Sequence, residues 1–193
     1  WNTYVTTFFR PRVRSGLLAI LCLFCLIWGV WKLETRFAGL TVTSLDLEGT
    51  PATLFQNETV PPAGLALIAH GYAGSQQMMD RIAVTLARSG FAAISFDFHG
   101  HGRNPVPMSG DVTRIDGTTA KLVTQTIATA EAATELLGPG LPLVFVGHSM
   151  ATEVVIRAAE ELPDVAAVVA ISMYSDAVTK ESPQRLLIVS GEW

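Results

Sequence analysis

Leu141-Pro142-Leu143-Val144-Phe145-Val146-Gly147-His148-Ser149-Met150-Ala151 reads as a buried strand that stops at a glycine and reopens as a helix. Its apolar run does not alternate, the pattern of a strand covered on both faces. The turn has small residues two positions before and two after Ser149. A strand-to-helix turn that tight lifts the central side chain over the sheet edge, where a serine can act as a nucleophile. The Met150 N–H then opens the helix and can donate to a developing oxyanion, helped by the helix dipole. The rival reading of Ser149 is an ordinary helix cap.

The same grammar repeats on either side. GLALIAHG (64–71), FAAISFDF (91–98), VAAVVAIS (165–172) and RLLIVSG (185–191) are further buried strands. TVTSLDLE (41–48) alternates, and residues 51–56 can pair with it after a Gly49-Thr50-Pro51 turn. Helices are expected at 76–89, 118–137 and 150–161. Gly90, Gly138-Pro139-Gly140 and Pro163 stop them. Short apolar strands alternating with helices predict an α/β fold with a mostly parallel, doubly wound sheet.

In such sheets chemistry collects at the carboxyl ends of the strands. Two more of these ends carry unusual residues. His70-Gly71-Tyr72-Ala73-Gly74 follows the 64–71 strand, and its glycines let the backbone turn and expose N–H groups. The Tyr72 N–H is the candidate second oxyanion donor. Asp97-Phe98-His99-Gly100-His101-Gly102-Arg103 follows the next strand. Its His-x-His pair lacks further ligands at metal spacing, so no metal site is expected. No organic cofactor is implied either.

H-G-x-x-G at 70–74, D-x-x-G-x-G at 97–102 and G-H-S-x-A at 147–151 together resemble the α/β-hydrolase superfamily. More narrowly, they resemble its esterase, monoacylglycerol-lipase and serine-aminopeptidase-like branch. The resemblance covers residues 41–193. It implies Ser149 as nucleophile, with the Met150 and Tyr72 amides as oxyanion hole. It makes His70, Gly71, Asp97, Gly100, Gly102 and Gly147 structural loop residues, and His99 and His101 likewise. Ala151 departs from the family's usual glycine at that position. The activity implied is hydrolysis of a small or lipid-like ester through an acyl-enzyme.

A nucleophilic serine needs a base and an orienting acid. By the resemblance both follow the serine in the chain, the acid first. The four histidines are 70, 99, 101 and 148, so the base is expected beyond residue 193 and the chain is expected to be truncated. Alone it is then expected not to turn over. Asp176 is an outside candidate for the acid, and Glu192 a weaker one. Residues 173–185 are too few for the cap domain that the family often inserts there, so the 103–117 loop is expected to shape the site. Met78, Met79 and Met108 are candidates for an acyl pocket, against core or surface roles. Two other readings remain: a non-catalytic binding module on the same scaffold, and acyl transfer to an acceptor other than water.

The N-terminal segment is different. Leu17 to Trp31 is uncharged and apolar, preceded by Arg10, Arg12 and Arg14 and closed by Trp28 and Trp31. Residues 1–36 carry a net +4 and the remainder −8, for a total of −4. Basic residues before the run and tryptophans at its far end fit a single membrane span with a cytoplasmic N-terminus. A cleaved signal peptide and a core helix are the alternatives. On the leading reading, residues 1–14 are cytoplasmic, 15–31 the anchor, 32–40 a linker and 41–193 a catalytic body on the outer side. Cys22 and Cys25 lie within the apolar run, where thiolate chemistry is costly, and read as small apolar residues. The chain starts at Trp1 rather than Met, which leaves room for a missing start. Hydrophobic residues make up 49% of the chain, which excludes disorder. Two cysteines are too few for a disulfide scaffold. A negative net charge argues against a nucleic-acid partner. Oligomeric state is not legible.

Overall fold

The computed structural model of the chain describes residues 11–111, 114–162, 164–173, 178 and 185–191. It divides into two units after Ala38. In the first, the apolar run folds as helix α1, Pro11–Glu34. Within its stretch Ser15–Glu34 an 18-residue window has a mean hydropathy of 2.2 and no buried residue. Twenty residues rise about 30 Å, enough to cross a bilayer's hydrocarbon core. Near its end the rings of Trp28 and Trp31 lie 5.3 Å apart, with the Lys32 ammonium 5.5 Å from each. Such amphipathic residues suit the headgroup boundary of a membrane.

The second unit is one mixed sheet. Among the described residues its strands are β1 (Leu40–Leu47), β2 (Thr50–Asn57), β3 (Gly64–Ala69), β4 (Phe91–Phe96), β5 (Leu143–His148), β6 (Val165–Ile171) and β7 (Leu186–Val189). Their spatial order is β1-β2-β4-β3-β5-β6-β7. β2 runs antiparallel to β1 and β4, and the other neighbours are parallel. The mostly parallel α/β sheet expected from the strand pattern is thus the observed fold. Every residue of β3 is buried, so both faces of this central strand are covered. Phe96, Phe98 and Phe145 are fully buried, each contributing about 2–3 kcal/mol of transfer free energy.

The helices are α2 (Asp80–Arg88), α3 (Ala120–Leu137) and α4 (Met150–Glu161). The 76–89 helix expected from the sequence is split. Gln76–Met79 is a 3-10 turn, because the Gln76 N–H and side chain are both tied down by Asp97. The hairpin turn also sits one residue earlier than expected, at Glu48 and Gly49. Both have positive φ, and the Asp46 carboxylate accepts the Gly49 N–H at 2.6 Å. That is the backbone a two-residue hairpin favours. Strands β3 and β4 end two residues short of their apolar runs, because His70, Asp97 and Phe98 turn into the loops that build the site.

The chain leaves β3 for β4 on one side, then crosses to β5 on the other. This reversal opens a crevice at the carboxyl ends of β3 and β5. Ala69 and Gly147 are register partners across it. The loop after β3 therefore stands beside the turn after β5.

Candidate active site

Ser149 occupies φ 53°, ψ −117° between β5 and α4. This backbone region is costly for any residue with a Cβ, about 1–3 kcal/mol. Three contacts hold it there. The Ser149 N–H donates to the Ile171 carbonyl of β6 at 2.9 Å. The Thr152 N–H and hydroxyl both donate to the Ser149 carbonyl, at 2.9 and 2.6 Å. Thr152 is fully buried, and the sequence reading missed it. A Ser–x–x–Thr spacing at a helix start is the signal that could have found it.

The turn closes because Gly147 has no side chain. A Cβ there would lie 2.6 Å from the Ala151 carbonyl oxygen and 2.7 Å from Val155. Ala151 itself is fully buried yet fits, so its departure from glycine is absorbed by the packing. Gly71 packs against the turn, its Cβ position 3.0 Å from that of Ser149. The Met150 N–H is the first of α4 and has no intrahelical acceptor. Among the described residues, no protein acceptor is found for the Tyr72 N–H.

Ser149 opens onto a cavity of about 320 Å³, shared with Tyr72, Met108, Leu122, Met150 and Glu153 and with Thr118 and Thr119. Of the three methionines considered, Met108 reaches this cavity, Met79 is core and Met78 is exposed. The loop between Arg103 and Gly117 contributes one wall through Met108.

Behind the crevice lies a buried polar frame. Asp97 is fully buried and accepts the Gln76 N–H at 2.7 Å, the Gln76 amide at 2.8 Å and the Arg103 N–H at 3.0 Å. Gly102 has φ 53°, and a Cβ there would overlap the Asp97 carboxylate. Gly100 packs against Met108. Gln125, on α3, donates to the Asp97 carbonyl at 3.1 Å and accepts the His99 N–H at 2.9 Å. Gln76 and Gln125 were not singled out from the sequence, since a glutamine inside a helical pattern carries no signal.

The rings of His70 and His101 bond to backbone groups. The His70 Nε2 accepts the Phe98 N–H at 3.2 Å, which fixes the proton on Nδ1, donating to the Gly71 carbonyl at 2.8 Å. Burial pushes the His70 pKa below its ordinary value, with His101 adding to the effect. The His101 Nδ1 lies 3.0 Å from the His99 carbonyl. His99 is also pushed down by desolvation. No histidine hydrogen-bonds Ser149 among the described residues, and His148 makes no such contact despite its adjacency. Asp176 and Glu192 lie outside the described residues. No cluster of three metal-ligating side chains occurs among the described residues.

A buried neutral imidazole has a thermodynamic signature. Below about pH 6.5 the unfolded chain takes up protons that folded His70 refuses, so stability falls as pH falls. Denaturant midpoints measured from pH 7.5 to 5.5 are expected to drop, and to drop less in a His70→Gln variant. An equal drop in both proteins would remove His70 as the cause.

The sequence profile of the family described as serine aminopeptidase, S33, matches residues 60–189. The chain is 28% identical over 133 residues to a monoglyceride lipase homolog of monkeypox virus, covering 68% of this chain and 45% of that protein. The chain thus spans about half the length of the curated relative it matches. Among solved structures, a carboxyl esterase of Bacillus coagulans superposes with TM-score 0.56 at 15% identity, over 69% of this chain and 44% of that one. A bacterial membrane phospholipase A superposes with TM-score 0.52 at 19% identity, over 86% of this chain and 53% of that one. These two share the fold. The profile covers the loop after β3, the buried frame around Asp97 and the strained turn at Ser149, and on that match the chain belongs to the serine aminopeptidase S33 family of α/β hydrolases.

Proposed function

We propose that the full-length protein is a membrane-anchored serine hydrolase that cleaves ester bonds through an acyl-enzyme on Ser149. The observation that carries this reading is the strained Ser149 backbone at a strand-to-helix turn facing a cavity. Strain of this kind persists only where the surroundings impose it, and it clusters at active sites. In the proposed reaction the Ser149 Oγ attacks the ester carbonyl. Its proton passes to a general base and then to the departing alcohol. The Met150 and Tyr72 N–H groups receive the oxyanion. Water then repeats the attack on the acyl-serine, releasing the acid and restoring the hydroxyl.

The substrate class follows from two supports. The named activity of the curated relative is that of a monoglyceride lipase homolog. The cavity has an apolar wall of Met108, Leu122 and Met150, suited to an acyl chain. Helix α1 supplies the anchor on this reading, with residues 1–14 cytoplasmic and the body on the outer side. A fluorophosphonate probe is expected to label the full-length protein and spare its Ser149→Ala variant. Equal labelling of both would overturn the assignment of the serine.

A further inference from the structure

Glu153 lies in the first turn of α4, four residues after Ser149 in the chain. Both line the same cavity. The Glu153 side chain is only 13% exposed, and Arg157 binds it from the next turn. Both Arg157 bonds, from Nε at 3.0 Å and Nη2 at 2.9 Å, go to the same oxygen, Oε1. Among the described residues no donor is found for Oε2. Of the pair, only Glu153 lines the cavity. A carboxylate buried to this degree is screened far less than one in open water.

Resting on the proposed hydrolase reading, we infer that Glu153 sets the charge preference of the Ser149 cavity, admitting neutral and cationic groups and repelling anionic ones. The acid released on hydrolysis is itself a carboxylate formed beside Glu153. The same repulsion then hastens its departure and keeps product inhibition weak. Tyr72, Met108, Leu122 and Met150 carry no formal charge, so Glu153, partly offset by Arg157 behind it, is the one formally charged side chain among the described residues lining the cavity.

The test uses full-length wild type and Glu153→Gln with three short esters matched in size, ending in a primary amide, a carboxylate or an ammonium. In wild type kcat/KM is expected to be about tenfold lower for the carboxylate ester than for the amide, a modest effect of one partly screened charge. In Glu153→Gln the ratio of carboxylate-ester to amide-ester kcat/KM rises towards one, whatever the change in the absolute rates. Inhibition by the free acid product strengthens by a similar factor in the variant, while inhibition by its amide does not. Glu153→Asp, which keeps the charge, restores the gap. A variant that loses all three activities in proportion would show that Glu153 serves only to brace α4, and would overturn the inference while leaving Ser149 in place. An unchanged gap in Glu153→Gln would overturn it too. A wild type that cleaves none of the three esters would overturn both the inference and the hydrolase reading beneath it.

Discussion

Replacing Ser149 by glycine is expected to abolish turnover and raise the melting temperature at once. Ser149 holds φ 53°, ψ −117°, a region that glycine enters freely and residues with a Cβ do not. Its side chain makes no capping hydrogen bond to α4, so removing the hydroxyl leaves no buried partner unpaired in the helix. Relief of the strain is then expected to stabilise the fold by about 1 kcal/mol, a rise of roughly 2–4 °C for a body of this size. Activity on a short ester is expected to fall on the order of 10⁴-fold or more, as when a nucleophile is removed from a catalytic unit. Ser149→Ala separates the two effects: it should lose the same activity without gaining the stability. Kinetics and thermal unfolding on all three proteins check this. Glycine melting below wild type would mean that the serine braces the turn rather than being strained by it.

The largest stability effect is expected at Asp97. Its carboxylate is fully buried, and three N–H donors converge on it from Gln76 and Arg103. Asp97→Ala strands all three donors. Each buried donor left without a partner costs about 1–3 kcal/mol, so a loss of about 3–5 kcal/mol is expected after local relaxation. The damage also spreads to the site. Gln76 starts the segment after the Gly71 loop, while Arg103 starts the loop whose Met108 walls the cavity. Asp97→Asn is expected to recover only part of the loss, since an amide offers one acceptor oxygen in place of two. Urea denaturation reads the effect directly, and a loss below about 1 kcal/mol would show that water replaces the carboxylate.

How far the sequence could be read depended on how local each cause was. Strands β3 and β5 were legible because a continuous apolar run ending at glycine has few other fates in a domain of this kind. The Ser149 turn was legible for the same reason. Gly147 is demanded by a backbone approach four positions on in the chain, where a Cβ would meet the Ala151 carbonyl. Of the buried frame, Asp97 and Gly102 were reached only through the motif resemblance, and the partners of Asp97 were not legible. Gln76, Gln125 and Arg103 reach it from three separate segments, and no spacing rule links them. The 3-10 turn at Gln76–Met79 follows from that frame, so it was missed with it. Glu153 went unnoticed because a Glu–Arg pair at i,i+4 is the commonest decoration of an exposed helix. Only its place beside Ser149 in a shared cavity gives it meaning. The turn sits at Glu48–Gly49, one residue before the Gly49-Thr50-Pro51 pattern, because the deciding contact is the Asp46 carboxylate accepting the Gly49 N–H.

On the proposed mechanism Ser149 carries a covalent acyl group during turnover. The most direct test of this is to inactivate the full-length protein with a p-nitrophenyl carbamate, whose carbamoyl-serine hydrolyses slowly, and to map the modified residue by mass spectrometry. The account predicts one carbamoyl group per chain, on Ser149, appearing in step with loss of esterase activity. Inactivated protein with Ser149 unmodified and the carbamoyl group on another residue would contradict it.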